Sequence, residues 1–382
     1  MVVKFNEYKV IEPSVNFLQK QTGKIFSDIW EQLEQGLWKD IKPENYEYNV
    51  IQGLLNRPNW KPVLKDILPL YLGMKWCEEK KQIEDPYFIP EKKDTGLKDF
   101  LNAAEIFFGK YSGGKIGVQL SGGLDSSIII GVMRYLGIPF SLVGMSTTRY
   151  EFRTERHIQK LLTEWGNAAV LIDYEAHLPF FDLNNVPPFQ YPDMLCLNYS
   201  ADQAMALKCE KLDIDILLTG NGGDNVFADE VPLNPEDCIW RPQIFMDALL
   251  MDIVYAPKGV KLVPFFADKR IIESIYNLRL GQPEDNSKLW ARNFFKDFLP
   301  QELVNYTYCA DFWGLYIDGL QSSLPIVREL CARAYELTQN PCFSVKVINE
   351  LLNQDLLNAK KDMYQIIEAR ITLAAWLNAL IK

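Results

Sequence analysis

Between Lys115 and Gly220 four short apolar runs alternate with stretches of helical period. The runs are "KIGVQL" (115–120), "PFSLVGM" (139–145), "AAVLIDY" (168–174) and "IDILLTG" (214–220); helix-length segments lie between them at 126–136, 151–165 and 200–212. This alternation leaves few folds open. Each run is apolar along its length rather than at every second residue, so both of its faces must be covered, and a helix follows to bring the chain back. The predicted fold is α/β, a parallel sheet with helices on both faces. From about residue 241 helical periods dominate, as in "ADKRIIESIYNL" and "INELLNQDLLNAKKDMYQIIEARITLAAWLNALIK", which predicts a helical C-terminal half.

Ahead of the alternation, the Pro- and charge-rich stretch near 84–97 reads as a connector. It divides a small N-terminal region, 1–90, from a unit at 98–382 made of an α/β core (98–240) and a helical part (241–382). "VNFLQKQTGKIFSDIWEQLEQGLW" and "WKPVLKDILPLYLGMKWCEE" carry apolar residues at helical spacing, so the N-terminal region is expected to be mostly helical. Its tryptophans, Trp30, Trp38, Trp60 and Trp76, read as core residues before they read as a binding platform.

Composition narrows the function. A chain of 382 residues, 48% of them hydrophobic, can fill a sizeable core. Seven cysteines without a CxxC pair indicate neither a zinc site nor a disulfide framework, and they fit a reducing, cytoplasmic compartment. The charged start "MVVKFNEYKV" is unlike a signal peptide, and no segment reaches the roughly 18 apolar residues of a membrane span, so no membrane partner is expected. A formal net charge of −10 argues against a broad nucleic-acid surface.

The chemistry-bearing stretch is "SGGLDSS", placing Ser121, Gly122, Gly123, Asp125, Ser126 and Ser127 between the first strand and its helix. Ligands of open parallel sheets bind at the carboxyl ends of strands. Glycines let a phosphate approach the backbone, and the helix N-terminus favours its charge. Asp125 would repel a phosphate unless a divalent cation lay between them, so the pattern implies a nucleotide with Mg²⁺. The competing reading is a Ser/Gly turn whose Asp caps the helix.

"SGGLDSS" resembles the signature of PP-loop ATP pyrophosphatases, and among them the synthetase domain of the asparagine synthetase family. The resemblance spans roughly residues 98–320 and implies cleavage of ATP between its α and β phosphates to activate a carboxylate as an acyl-adenylate. "LLTGNGGDNVFADE" (217–230) resembles the family's second loop, "SGEGSDELFGGY". Carried over residue by residue, Asp125 and Asp224 would hold Mg²⁺, and Gly220, Gly222 and Gly223 would join the first loop around the nucleotide. Departures at Asn221, Asn225 and Ala228–Glu230 put acceptor chemistry in doubt more than ATP binding. "SLVGMST" (141–147) resembles the segment beside adenine, assigning backbone groups around Val143, Gly144 and Met145 to the base edge and Leu120 to the lining of the pocket.

Two later stretches, 258–278 and 286–300, resemble the family's "GLEVRVPFLDKRLVEFAL" and "KWILREAFRDLLP", the second matching Lys288 and Arg292. The lysine that the family carries on its next loop has no match in "VNYTYCADFWGLY" (304–316), where Cys309 falls near that place. Either another cation, such as Lys258, Lys261 or Lys288, substitutes, or catalysis is weakened or changed; Lys261, Lys288 and Arg292 are taken as the catalytic cations. Val2 stands where glutamine-using members carry a cysteine, so a glutaminase domain is not expected. Three readings stay open: an AMP-forming amide ligase resembling β-lactam-forming synthetases and lasso-peptide macrocyclases, acting on an amino acid or peptide carboxylate with a precursor peptide or partner enzyme; an ammonia-dependent asparagine synthetase; and a degenerate nucleotide-binding partner protein.

Overall fold

The computed structural model describes residues 16–26, 29–51, 61–70, 75–80, 82–84, 96–227, 253–279, 288–306, 311–352 and 361–381. Its first segment departs from the helical expectation. β1 (Asn16–Gln19), β2 (Lys24–Phe26) and β3 (Ile67–Leu70) form an antiparallel sheet in the order β2-β1-β3, with Phe17 paired to Phe26 on one side and Pro69 on the other. β4 (Lys75–Cys77) and β5 (Gln82–Glu84) make a second antiparallel pair, while α1 (Trp30–Glu34) and α2 (Pro43–Ile51) are helical. The cause is local: Gly23 takes φ +72 between β1 and β2, so the chain reverses there instead of continuing as one helix.

This N-terminal sheet is fastened to the far end of the chain. Phe17, Ile29 and Tyr46 share one core with Trp376 and Leu377, Glu47 pairs with Arg370 at 2.7 Å, and the Ile29 amide donates to Gln190 Oε1 at 2.7 Å. Trp38 is buried in that core and Trp30 packs against it, as core residues should; Trp76 donates to Glu78, and Trp60 lies outside the described residues.

The central sheet contains β6 (Ile116–Gln119), β7 (Ser141–Ser146), β8 (Ala169–Asp173), β9 (Ile216–Thr219) and β10 (Lys261–Pro264), all parallel, in the order β10-β9-β6-β7-β8. The first four are the expected runs. β10 falls in a stretch read as helical, because four residues closed by Pro264 are too few to display a strand pattern. Around the sheet stand α3 (Leu97–Gly109), α4 (Leu124–Tyr135), α5 (Arg153–Thr163), α6 (Tyr199–Lys211), α7 (Gly223–Phe227), α8 (Lys269–Arg279) and α9 (Leu289–Phe294). The remaining helices are α10 (Gln301–Val304), α11 (Trp313–Thr338), α12 (Val345–Leu352) and α13 (Lys361–Leu380), so the described chain beyond β10 is helical as expected.

Adjacent strand residues point to opposite faces. Here they enter different cores. Val118, Leu142 and Leu218 pack with Phe107, Ile128, Ile271 and Trp290 on one face, while Val143 and Leu217 pack with Met205, Cys209 and Trp376 on the other. Helices therefore cover both faces of β6, β7 and β9, and this double burial is why those runs are apolar throughout, whereas β8 at the edge leaves Leu171 exposed. The strand order also fixes where a ligand can enter: the chain steps outward through β6, β7 and β8, then returns to place β9 on the other side of β6. The loops leaving β6 and β9 stand on either side of that reversal, at the carboxyl ends of the strands, where open parallel sheets bind their ligands.

Candidate nucleotide site at the strand switch point

The two glycine-rich loops are those that leave β6 and β9. In the first, Ser121 Oγ accepts from the Gly123 amide at 3.1 Å and shares a hydrogen bond with Ser126 Oγ at 2.8 Å, while Ser127 Oγ donates to the Gly123 carbonyl at 2.6 Å. The hydroxyls of the buried Ser126 and Ser127 thus tighten the turn from within, while the exposed Ser121 stands at the surface of the loop. Gly122 needs its missing side chain twice over, having φ +82 and lying against the Glu155 backbone.

The second loop, Gly220, Asn221 and Gly222, leads into α7 at Gly223 and presses on the first. A Cβ on Gly220 would lie 2.9 Å from the Ser126 amide nitrogen, and one on Gly223 would overlap the Asp125 carboxylate. A Gly223→Ala variant is therefore expected to lose about 1–3 kcal/mol of stability in chemical denaturation. A variant as stable as the wild type would mean that the loops do not touch as described.

Asp125 and Asp224 converge on one cation. Lys288 Nζ lies 2.9 Å and 3.0 Å from the two carboxylate oxygens of Asp125 and 2.6 Å from Asp224 Oδ1. The Lys288 side chain is 15% exposed, Asp125 19% and Asp224 87%, so the acid on α4 is enclosed and the acid on α7 is open to solvent. Burial pushes the Asp125 carboxyl above its ordinary range, the Lys288 ammonium opposes that rise, and the Asp224 charge adds to it. For Lys288 burial acts downward, but the two carboxylates outweigh it and hold the ammonium above the usual lysine value. An enclosed carboxylate that shares its counter-ion with a second acid retains an appetite for positive charge.

The other two expected cations have other settings. Arg292, buried in α9, donates to the Leu303 carbonyl at 2.6 Å, and its charge favours the ionised form of Asp125. Lys261 opens β10 opposite Ile216, at the amino end of the sheet, whereas the loops leave the carboxyl end near Thr219. Sequence resemblance placed Lys261 near a motif but did not say which strand end it occupies. Lys258 pairs with Glu210 at 3.7 Å. Cys309 and residues 228–230 lie outside the described residues.

Beside the loops is a pocket of about 250 Å³ whose lining includes Leu120, Ser121, Met145, Thr219 and Asn221. Met145, at the end of β7, lines the pocket next to Ser146 and Thr147. The Val143 side chain enters the core, and its carbonyl accepts the Leu120 amide at 2.8 Å. Gly144 lies against the Leu120 carbonyl, allowing β7 to pass close to β6.

Sequence reasoning missed several lining residues. Gln159 on α5 is buried and donates to the carbonyls of Leu120 at 3.0 Å and Met145 at 2.7 Å, tying together the ends of β6 and β7. Thr219, 1% exposed, lines the pocket with an Oγ1 that has no hydrogen-bond partner among the described residues, an orphan that a polar ligand would satisfy. A glutamine amid the apolar face of Ile158 and Leu162 was the available signal for the first; nothing local marks the second.

His157 stands 4.0 Å from Glu302, and His177 Nδ1 lies 3.0 Å from Ser200 Oγ; neither joins the loops. Among the described residues no three His, Cys, Asp or Glu side chains gather as a metal cluster, and no helix is long and apolar enough to cross a membrane. No protein-family model matches the chain, and no curated protein matches it.

Proposed function

We propose that the chain is an ATP-dependent, AMP-forming amide-bond ligase of the PP-loop type. One observation carries this reading: carboxylates from two glycine-rich loops, on either side of a strand switch point, meet at a single cation. Their chemistry fits Mg²⁺, which takes one or two protein carboxylates and completes its shell with phosphate oxygens and water. Asp125 and Asp224 would hold the ion, which when bound would neutralise the phosphates and stabilise departing pyrophosphate.

The protein's own groups divide the remaining work. The small first loop admits the phosphates at the start of α4, where backbone amides and the helix dipole favour negative charge. Lys288, kept charged by the two acids, is the cation that meets the pyrophosphate, in the role of the missing loop lysine. Leu120, Met145 and Thr219 bound the pocket for the activated substrate. A carboxylate oxygen attacks the α phosphorus and the bond to the β phosphate breaks, releasing pyrophosphate. An amine then attacks the acyl carbon, loses its proton, and AMP leaves.

The pocket's aromatic side chains, Phe152, Tyr174, Tyr255 and Phe312, favour an amino acid or peptide partner over free ammonia. Macrocyclisation or a related natural-product step would suit such a pocket. ATP–pyrophosphate exchange, run with Mg²⁺ and a panel of amino acid and peptide carboxylates, tests this proposal. Exchange dependent on both an added acid and Asp125 is expected; its absence across the panel would count against a ligase.

A further inference from the structure

The pocket has a second polar wall that the nucleotide chemistry does not use. Asp202, on α6, brings to this wall a carboxylate residue only 8% exposed, and the buried Tyr255 hydroxyl donates to its Oδ1 at 3.1 Å. Tyr174 lines the same pocket. Burial, together with Tyr316 and the Asp202 charge, pushes its phenol well above the ordinary value, so it remains neutral around pH 7. The ring of Phe312 stands edge-on to Phe152 at 5.0 Å and to Tyr174 at 6.3 Å, adding aromatic surface to the opening.

A carboxylate in such a wall repels anions, whereas aromatic faces attract cations. Arg156, which also lines the pocket, is turned toward backbone: its Nη1 donates to the Thr147 carbonyl at 2.7 Å and the Arg149 carbonyl at 3.4 Å. The polarity of the site is therefore divided, with anion-binding chemistry at the loops and Lys288, and a negative aromatic wall at Asp202. We propose that Asp202, Tyr255 and Tyr174 form a subsite for an organic cation, a primary ammonium or guanidinium group carried by the second substrate. Assigning that group to the amine-bearing substrate rests on the ligase reading; its binding needs no ATP.

Calorimetric titration of the full chain, without nucleotide, tests this subsite with n-pentylammonium, n-butylguanidinium and the neutral 1-pentanol as probes. At least one of the two cations is expected to bind at least tenfold more tightly than the alcohol, and whichever binds better tells ammonium from guanidinium. In the near-isosteric Asp202→Asn variant this preference is expected to vanish. Equal binding of cations and alcohol by the wild type, which needs no variant to fold, would overturn the subsite, as would undiminished cation binding by folded Asp202→Asn. Cation preference without ATP–pyrophosphate exchange would leave the subsite standing and remove the ligase reading; exchange without cation preference would do the reverse.

Discussion

A Glu368→Gln variant is expected to keep at pH 8 the stability that the wild-type chain loses on the way there from pH 4.5. Glu368 lies on α13, is 9% exposed, and burial pushes its carboxyl from 4.5 up to about 8. The raised value sets the sign. Between pH 4.5 and pH 8 the folded chain holds a proton that the unfolded chain has released, so stability is highest below that window and falls through it, levelling above pH 8. At about 1.4 kcal/mol per pH unit, the whole window is worth on the order of 5 kcal/mol, comparable to the stability of many single domains. Glutamine is neutral at every pH and nearly the same shape, so the variant should match the wild type at the acid end and exceed it at the alkaline end. Urea denaturation midpoints measured across the window check this. Parallel curves for the two proteins would mean that Glu368 is not held protonated by burial.

Position in the fold explains the size of this effect. Tyr364 and Tyr316 lie near enough for the Glu368 charge to raise both phenols, and Tyr364 packs against Trp313 at 4.1 Å between ring centres. An ionised carboxylate there would be cut off from water, where charge is poorly solvated.

How much of this was legible in the sequence depended on what each residue answers to. β6, β7 and β9 were legible because strands buried on both faces must be apolar throughout, and the alternate residues Leu217 and Leu218 do enter opposite cores; β8 was legible by its apolar composition alone, since at the sheet edge it leaves Ala169 and Leu171 exposed. The N-terminal sheet was not, since adjacent apolar pairs such as Phe17 with Leu18 and Ile25 with Phe26 mimic helical spacing; the cue was Gly23, whose left-handed backbone turns the chain. Asp125, Asp224 and Lys288 could be named in advance because loop chemistry and resemblance both point to them, yet only tertiary structure brings them within one ammonium's reach. Lys261 was set beside the loops because a linear motif does not specify strand end. Gln159 and Thr219 escaped notice because each is a polar residue in an otherwise buried element, and its role exists only once β6, β7 and β9 meet.

The second large effect concerns Asp125. Asp125→Asn removes one charge with almost no change of shape, and Asp224 retains Lys288 as its partner. Losing an enclosed carboxylate that holds the cation of a nucleotide is expected to weaken binding of Mg²⁺·ATP by roughly 100-fold or more. Asp224→Asn should cost less, about tenfold, because that side chain is 87% exposed and water already screens its charge. Calorimetric titration of ATP into the wild-type chain and the Asp125→Asn variant, each with Mg²⁺ and with EDTA, is the most direct test of a nucleotide site at the switch point. The account predicts wild-type binding that requires Mg²⁺ and is lost in Asp125→Asn; wild-type binding indifferent to Mg²⁺, or unchanged by the substitution, would contradict it.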